Sequence, residues 1–350
     1  MIATNERLAE WLPQLRVADW IALDTEADSL HAYPEKLCLI QLSCQGADLL
    51  VDPLAPMDLQ PLLEILGRHE LILHGSDYDL RLLRKTFQFT PRAIFDTMLA
   101  GLLLGLKQVG LANLAHCYLN ITLEKGPQKA DWAKRPLTDR MAEYARNDTR
   151  HLKRLAELLG GELAAKGRLD WHRELCAHYI RESSVIEEPD PERVWRVKGS
   201  HTLGPNALAV LRELWRWREQ EAILANRPPY FVLAPQAMVA VAEAAIESQP
   251  YERWLPRRIS DRRLSSLHQA VHAGLLAEPK PQILRPKHHR LTFAQVQRYR
   301  HFEQIRDRSA AELQLDPSLI ASRSTLVSLS RDGDKAFEGL MRWQQQLLKA

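Results

Sequence analysis

Two carboxylates lie two residues apart at the end of a predicted buried strand. Residues 20–23 have the composition of a β-strand, and Asp24, Thr25 and Glu26 follow directly. Because residues i and i+2 of a strand point to the same face, Asp24 and Glu26 would project side by side. Such a pair repels and loses hydration unless a cation neutralises it, and Mg²⁺ and Mn²⁺ favour carboxylate oxygens. Taken alone, the pattern is more typical of a strand end that faces water.

Two further aspartates follow a later predicted strand. Residues 71–74 are apolar, and Asp77 and Asp79 come shortly after them in the text LHGSDYD. Open α/β sheets place their chemistry at the carboxyl ends of strands, so these aspartates are candidates to join the first pair.

A tyrosine and an aspartate lie four residues apart farther along the chain. Tyr144 and Asp148 would share one face of a predicted helix. The pattern by itself is more typical of a surface aspartate that pairs with Arg150 or His151. Four carboxylates from three segments can, however, hold two metal ions about 3.5–4 Å apart, which activate a water and stabilise the leaving oxygen at phosphorus. Tyr144 could orient or help deprotonate that water.

The elements that must position these residues predict an α/β domain. Strands are predicted at residues 20–23, 37–42, 48–51, 71–74 and 93–95. Short links join the first three strands, which predicts an antiparallel meander. Helices are predicted over 77–87 and 138–159, with Thr138 as N-cap, and Asp96 is placed to cap the helix that follows the fifth strand.

The rear half differs from the front half in charge, and its sequence pattern predicts two small helical modules. Residues 1–190 contain 22 Lys and Arg against 28 Asp and Glu, whereas residues 191–350 contain 25 against 16. A basic rear half suits a polyanionic partner, although a chance difference between solvated faces explains it equally well. Offsetting the rear half by 88 residues aligns Arg218, Ala222 and Pro229 with Arg306, Ala310 and Pro317. We interpret this as a repeat of helix, proline-containing break and helix.

Composition limits the cellular setting. The four cysteines show no metal-binding spacing and are typical of reduced thiols in a cytoplasmic protein. Charged residues at positions 6, 7 and 10 argue against a signal peptide, and no stretch predicts a membrane span. A monomer is the default expectation.

The first half resembles a known exonuclease family. The texts DTE, LHGSDYDL, FDTMLA, LANLAHCYL and DWAKRPLTDRMAEYARNDTRHL appear in the family's order at similar spacing. Over residues 1–180 the chain is similar to the 3′–5′ exonuclease domain of the DEDD superfamily, in its tyrosine subgroup, and within it to ribonuclease D. The resemblance implies an RNase H-like fold and a metal-dependent hydrolase that removes nucleotides from RNA 3′ ends.

The resemblance also implies roles for residues at the motif positions. Two divalent ions, Mg²⁺ or Mn²⁺, would be held by Asp24, Glu26, Asp79 and Asp148, and Tyr144 would position the attacking water. Asp79 is preferred to Asp77 because the family places this aspartate directly before an apolar helix residue, and Leu80 follows Asp79. Asp77 is interpreted as a helix cap.

One departure from the family lies before the tyrosine helix. The family commonly has serine before Asp-Trp, whereas this chain has Ala130, which removes a possible capping hydroxyl. Asp131, Trp132 and Arg135 are expected to fix this loop.

The rear half is similar to the HRDC modules that follow the exonuclease domain in this family. The predicted domains are the exonuclease domain at 1–185, a linker at 186–202, an HRDC-like domain at 203–283 and a divergent second one at 284–350. Candidate substrate-binding residues are Thr25, Leu30, His31, Tyr33, His74, Arg257, Arg258, Arg262 and Arg263. A plain loop role for residues 30–33 is as compatible with the sequence, and solvated arginines are the simpler interpretation of most of the basic set.

By family analogy, the substrates are single-stranded 3′ ends of structured RNA such as tRNA precursors. Hydrolysis of these ends would release nucleoside 5′-monophosphates. Two alternatives stay open. The same site could digest DNA 3′ ends, because no residue visibly reads a 2′-hydroxyl, or the protein could be a non-catalytic RNA-binding scaffold.

Overall fold

The computed structural model describes residues 1–124, 126–185, 188, 190–283 and 291–349. In this structure the chain divides into two compact units. The first unit comprises Met1–Glu26, Leu37–Ile186 and His289–Ala350, and the second comprises Ala27–Lys36 and Glu187–His288. The last helical segment therefore groups with the α/β part, and a short segment after the first strand groups with the first helical module. The predicted boundaries near 185, 202 and 283 remain predictions.

A mixed five-stranded sheet forms the centre of the first unit. Its strands are β1 (Ile21–Ala27), β2 (Leu37–Cys44), β3 (Ala47–Val51), β4 (Glu70–Leu73) and β5 (Ala93–Asp96), in the spatial order β3-β2-β1-β4-β5. Strands β2 and β3 are antiparallel, as predicted, whereas β1 with β4 and β4 with β5 are parallel. All eight residues of β2 are buried, because helices cover the sheet. Parallel pairing brings the carboxyl ends of β1, β4 and β5 to one edge.

Eight helices of the first unit surround or extend from the sheet. They are α1 (Asn5–Val17), α2 (Gln60–Leu66), α3 (Asp77–Phe87), α4 (Thr97–Leu103), α5 (Leu111–Leu119), α6 (Asp139–Arg150), α7 (Leu152–Ala165) and α8 (Leu169–Ser184). Two predicted caps are confirmed. The Asp96 carboxylate accepts hydrogen bonds from the first amides of α4, and the Thr138 hydroxyl accepts one from Met141 N at 3.2 Å. Polar side chains at these positions therefore begin the helices as expected.

The C-terminal helices pack against the α/β part within the same unit. They are α13 (Phe293–Leu313), α14 (Pro317–Ile320), α15 (Arg323–Asp332), α16 (Asp334–Glu338) and α17 (Arg342–Lys349). The buried Arg168 guanidinium donates to Leu103 O at 2.8 Å and to Leu313 O at 2.9 Å, so it binds the carbonyl ends of α4 and α13 together. Trp171 stacks on Trp343 with 5.1 Å between ring centroids.

The second unit is a small helical module with its own core. Its helices are α9 (Pro205–Ala225), α10 (Pro229–Val232), α11 (Pro235–Ile246) and α12 (Asp261–Leu276). Buried side chains from these helices form the core together with Trp195, which lies in the segment before them. Residues 27–36 belong to this unit because Tyr33 packs against that core and its hydroxyl donates to Glu219.

The 88-residue repeat predicted from the sequence is confirmed in the helix bounds. Helices α13 and α14 begin and end 88 residues after α9 and α10, and α15 begins 88 residues after α11. The residues that end the long helices, Asn226 and Gln314, both have left-handed backbone with φ of 46° and 57°. Corresponding sequence patterns thus produce the same helix, break and helix order. Among the described residues, no helix is long and apolar enough to cross a membrane.

Candidate active site

Three carboxylates from two elements converge at the edge of the sheet. Asp24 and Glu26 come from β1 and Asp148 from α6, and one oxygen of each lies within 4.8 Å of the others. Asp79, in the first turn of α3, lies outside this cluster. Its carboxylate accepts a hydrogen bond from the hydroxyl of Thr25, the residue between Asp24 and Glu26 in the chain. All four carboxylates line one cavity of about 1010 Å³. The structure therefore brings together the four acidic residues that the sequence selected.

The turn between β4 and α3 determines where Asp79 lies. Gly75 has a φ of +69°, a left-handed conformation that favours glycine, and this lets the chain reverse into the helix. The Asp96 carboxylate accepts hydrogen bonds from Gly75 N at 3.1 Å and Ser76 N at 2.8 Å. Since the same carboxylate also caps α4, one buried side chain fixes the starts of two helices beside the site.

The neighbouring Asp77 points away from the cavity. It is exposed and pairs with Arg81 at 2.5 Å along the helix surface. The interpretation of Asp77 as a helix cap is wrong, because Ser76 occupies the N-cap position and Asp77 is the first residue of the helix. Its carboxylate instead forms an ordinary i,i+4 ion pair.

Contacts with the sheet hold the α6 helix in place. Thr149 is buried and its hydroxyl lies 2.8 Å from the Ser43 hydroxyl, and Arg150 donates to Asp48 at 2.6 Å. The alternative in which Arg150 pairs with Asp148 is therefore not what the structure shows. With Arg150 engaged elsewhere, Tyr144 and Asp148 face the cavity.

The carboxylates raise one another's pKa values, and burial raises them further. Burial, with the charges of Asp79, Asp148 and Glu26, raises the pKa of Asp24 well above its ordinary range. Burial and the same kind of repulsion raise the pKa of Glu26 to about 9. Burial is also the largest cause for Asp79 and Asp148, whose pKa values are raised to about 7. A group of acids with such values is set to bind cations, because a cation compensates both burial and repulsion.

Tyr144 lies directly beside Asp148. Burial, with the charge of the Asp148 carboxylate, raises the pKa of the Tyr144 phenol, and the phenol in turn lowers the pKa of Asp148 against the larger effect of burial. The Tyr144 ring lies 6.1 Å from the ring of Trp132, which is buried. Tyr144 is therefore a neutral hydroxyl that can donate or accept a hydrogen bond next to the acidic cluster.

Comparison with known proteins supplies the family. A family model described as 3′-5′ exonuclease matches residues 1–164, and an HRDC domain model matches residues 207–249. Ribonuclease D of Sphingobium indicum is 30% identical over 295 residues, covering 81% of this chain and 75% of that protein. The chain belongs to the ribonuclease D family. Ribonuclease D of Gluconacetobacter diazotrophicus is 33% identical over 249 residues, which cover 70% of this chain but only 63% of that protein.

Solved structures confirm the predicted fold class. The crystal structure of Escherichia coli RNase D, described as an exoribonuclease involved in structured RNA processing, superposes with a TM-score of 0.75. It is 24% identical, and the likeness covers 100% of this chain and 98% of that one. A protein from Bifidobacterium adolescentis gives a TM-score of 0.82 at 23% identity, covering 99% and 94%. The ribonuclease D fold, an α/β exonuclease domain followed by helical domains, thus extends over the chain.

The donor set fits the hard divalent ions expected for this family. All four candidate ligands are carboxylates, and Mg²⁺ and Mn²⁺ prefer oxygen donors. Burial and mutual repulsion raise the pKa values of Asp24 and Glu26, and a divalent cation would offset both effects. Asp24, Glu26, Asp79 and Asp148 are therefore the residues that would hold such ions.

The predicted substrate-binding residues of the first half are dispersed. Thr25 and His74 line the cavity, where Thr25 binds Asp79 and His74 Nδ1 lies 2.9 Å from the Thr97 hydroxyl. Leu30 and His31 are exposed in the 27–36 segment. Tyr33, in contrast, donates a hydrogen bond from its hydroxyl to Glu219 of the helical module. This contact gives Tyr33 a structural role.

The four predicted arginines of the rear half separate into two pairs. Arg262 and Arg263 bind the buried Glu221 at 2.6 and 3.0 Å, so they stabilise the helical module. Arg257 and Arg258 are exposed, and among the described residues none pairs with them. Only the second pair is free to contact phosphate groups.

The loop before the tyrosine helix is fixed by Arg135, as expected. Its guanidinium binds Asp52 at 2.6 and 2.7 Å and also donates to Cys38 O and Trp132 O. Ala130, where the family commonly has serine, packs beside the cluster that contains Trp132. The buried contacts of this loop therefore do not require a hydroxyl at that position.

Sequence reasoning missed two segments that line the cavity. One is the start of α5, at residues 110–113, and the other is the stretch 126–129 with the text GPQK. Glycine and proline are typical of a turn, and residue types alone do not show which side chains the turn approaches. That the turn returns to the tyrosine depends on contacts between separate parts of the chain.

Proposed function

We propose that this member of the ribonuclease D family is a metal-dependent 3′–5′ exoribonuclease. The observation that carries the proposal is the convergence of Asp24, Glu26 and Asp148 within 4.8 Å, with Asp79 and Tyr144 on the same cavity. Four carboxylates, of which Asp79 is buried and the other three are half-buried, are unfavourable together unless they hold cations. A phosphodiester hydrolase has a use for such cations, because charge develops on phosphate oxygens during the reaction.

Each residue has a role in the proposed hydrolysis. Two divalent ions, when bound, supply positive charge for the attacking water and for the leaving 3′ oxygen. Asp24, Glu26, Asp79 and Asp148 hold that charge in place, and the Thr25 hydroxyl orients the Asp79 carboxylate. The Tyr144 hydroxyl, beside Asp148, orients the attacking water through a hydrogen bond. Hydrolysis releases nucleoside 5′-monophosphates one at a time.

The proposed substrate is the single-stranded 3′ end of a structured RNA, such as a tRNA precursor. The description of Escherichia coli RNase D as an exoribonuclease involved in structured RNA processing supports this class. The basic rear half, with 25 Lys and Arg against 16 Asp and Glu in residues 191–350, supports binding of a polyanion. Arg257 and Arg258 are the proposed phosphate contacts in that half.

The test is a time course on 5′-labelled RNA and matched DNA with Mg²⁺, Mn²⁺ or EDTA. We expect a ladder that shortens from the 3′ end of RNA with metal, and at least about a 100-fold loss of rate in Asp24→Asn. Thermal unfolding gives a second readout, because a metal that binds the folded protein raises Tm. That rise should disappear in Asp24→Asn and persist in Asp77→Asn.

Three outcomes would redirect the proposal. Equal or faster loss of DNA would make the protein a DNA exonuclease. Tight RNA binding without shortening in any metal would leave a scaffold. Unchanged activity in Asp24→Asn would place the reaction elsewhere.

A further inference from the structure

The backbone of Gly126 lies against the ring of Tyr144. A Cβ atom added at Gly126 would lie 1.6 Å from Cδ2 of Tyr144 and 2.3 Å from both Cε2 and Cγ. Real Cβ atoms essentially never approach a neighbour closer than 3.0 Å. Only glycine permits this contact.

A turn brings a second residue of the same segment to the tyrosine. Ala130 N donates to Pro127 O at 2.7 Å, which closes the turn over residues 127–130. Gln128, within the turn, lines the active-site cavity together with Tyr144 and Asp148, and its interaction with the Tyr144 phenol lowers the pKa of that group against the larger effect of burial. The turn therefore brings the Gln128 amide to the cavity that Tyr144 and Asp148 also line.

Two cavities adjoin the Tyr144 side chain. The active-site cavity and a second cavity of about 420 Å³ share Gly126, Tyr144 and Asp148 in their linings. The buried Trp132 lies near the Tyr144 ring with 6.1 Å between centroids. The Tyr144 ring packs against the hydrophobic cluster that contains Trp132, and Gly126 adds a backbone contact to the ring beside the two cavities.

We propose that Gly126 and Gln128 are positioning residues that fix the Tyr144 phenol beside Asp148. The inference rests on the proposed function, in which Tyr144 orients the attacking water. Gly126 restricts the ring, and Gln128 restricts the direction of the hydroxyl. Neither residue needs to touch the reacting atoms.

The first experiment compares Gly126→Ala and Gln128→Ala with Gly161→Ala, whose added methyl group meets nothing within 4 Å. Displacing a catalytic group by about 1 Å can cost about 100-fold in rate, so we expect kcat to fall at least about tenfold in the first two variants. KM and the RNA affinity in EDTA should change less than about twofold, because substrate binding does not use the hydroxyl. Gly161→Ala should retain the unaltered protein's kcat.

The second experiment tests whether the effect passes through the tyrosine. In a double-mutant cycle, Gly126→Ala and Gln128→Ala should each add less than about twofold to the loss caused by Tyr144→Phe, because the hydroxyl they position is already gone. In metal-free protein labelled with fluorotyrosine, the ¹⁹F resonance that Tyr144→Phe removes should shift in Gly126→Ala and stay in place in Gly161→Ala. This readout does not require activity.

The outcomes separate this inference from the proposed function. If Tyr144→Phe is slow while Gly126→Ala and Gln128→Ala retain full kcat, or if the losses multiply independently, the positioning role is wrong. If Tyr144→Phe retains full kcat, the proposed role of the tyrosine itself fails. Should Gly126→Ala not fold, Gln128→Ala carries the same comparison alone.

Discussion

At the residue scale, the carboxylates of the site concentrate negative charge that the fold must tolerate. The pKa values of Asp79 and Asp148 are about 7 and that of Glu26 is about 9, mainly because burial disfavours their charged forms. Unfolded carboxyl groups ionise near pH 4. An acid with a raised pKa stabilises the fold below its unfolded pKa, and this contribution is lost as pH rises through the folded pKa.

We therefore predict that the protein in EDTA loses stability between about pH 4 and pH 9. Asp148→Asn removes one charge and relieves its neighbours, so its stability should decline less over the same range. Chemical unfolding at several pH values in EDTA, for both proteins, measures the difference. If the difference in stability between the two proteins does not vary with pH, these carboxylates do not control the pH dependence of stability.

A second prediction at this scale concerns Asp96, whose buried carboxylate accepts four backbone N–H groups. Asp96→Ala should lower the free energy of unfolding by at least about 2 kcal/mol, because the donors of Gly75, Ser76, Met98 and Leu99 lose their partner. The matched control is Asp77→Ala, an exposed ion-pair residue that should change stability by less than about 1 kcal/mol. Urea unfolding measures the stability of both variants. Equal losses would contradict the stabilising role assigned to the Asp96 carboxylate.

At the element scale, Arg168 joins helices that are distant in sequence. It is 5% exposed and donates to the carbonyl ends of α4 and α13. Arg168→Ala should lower the free energy of unfolding by about 2–3 kcal/mol, since buried carbonyl groups lose their donor. Arg173→Ala removes only a surface pair with Asp170, which should change stability by less than about 1 kcal/mol. Limited proteolysis should release the C-terminal helices faster in the first variant than in the second.

Another feature at this scale is the close approach of the α4–α5 turn to the end of α13. Gly105 has a φ of +83°, and a Cβ there would lie 2.2 Å from Gln314 O. Conformation and space both require glycine at this position, which lies in the interruption between α4 and α5. The interruption makes room for the C-terminal helices.

At the scale of the whole molecule, the charge difference between the halves predicts how RNA binding depends on salt. Arg257 and Arg258 are exposed and, in the described part of the chain, are not engaged by carboxylates. Replacing both with Gln should reduce the slope of log affinity against log salt by about 1.4 for single-stranded RNA, about 0.7 for each lost phosphate contact. Fluorescence anisotropy in EDTA at several salt concentrations measures the slope.

The control for this prediction is Arg7→Gln, because Arg7 is an exposed arginine that pairs with Glu10 in α1. Its slope should stay that of the unaltered protein. An unchanged slope in the Arg257 and Arg258 variant would remove these residues from the proposed RNA contacts.

The sequence by itself determined the features that depend on neighbouring residues. Apolar runs predicted the five strands, polar residues at Asp96 and Thr138 predicted two helix starts, and an 88-residue offset predicted two similar helical modules. These features are local because strand and helix periodicity, helix capping and turn formation act over a few residues. The motif spacing likewise predicted the four carboxylates that line the cavity.

Only the tertiary structure decided how separate segments share an environment. It shows that Asp79 faces the cavity while Asp77 faces outward, and that Gly126 packs on Tyr144. It also groups residues 27–36 with the helical module and the C-terminal helices with the α/β part. These facts follow from burial and contacts between residues far apart in the chain, which no local pattern of residue types specifies.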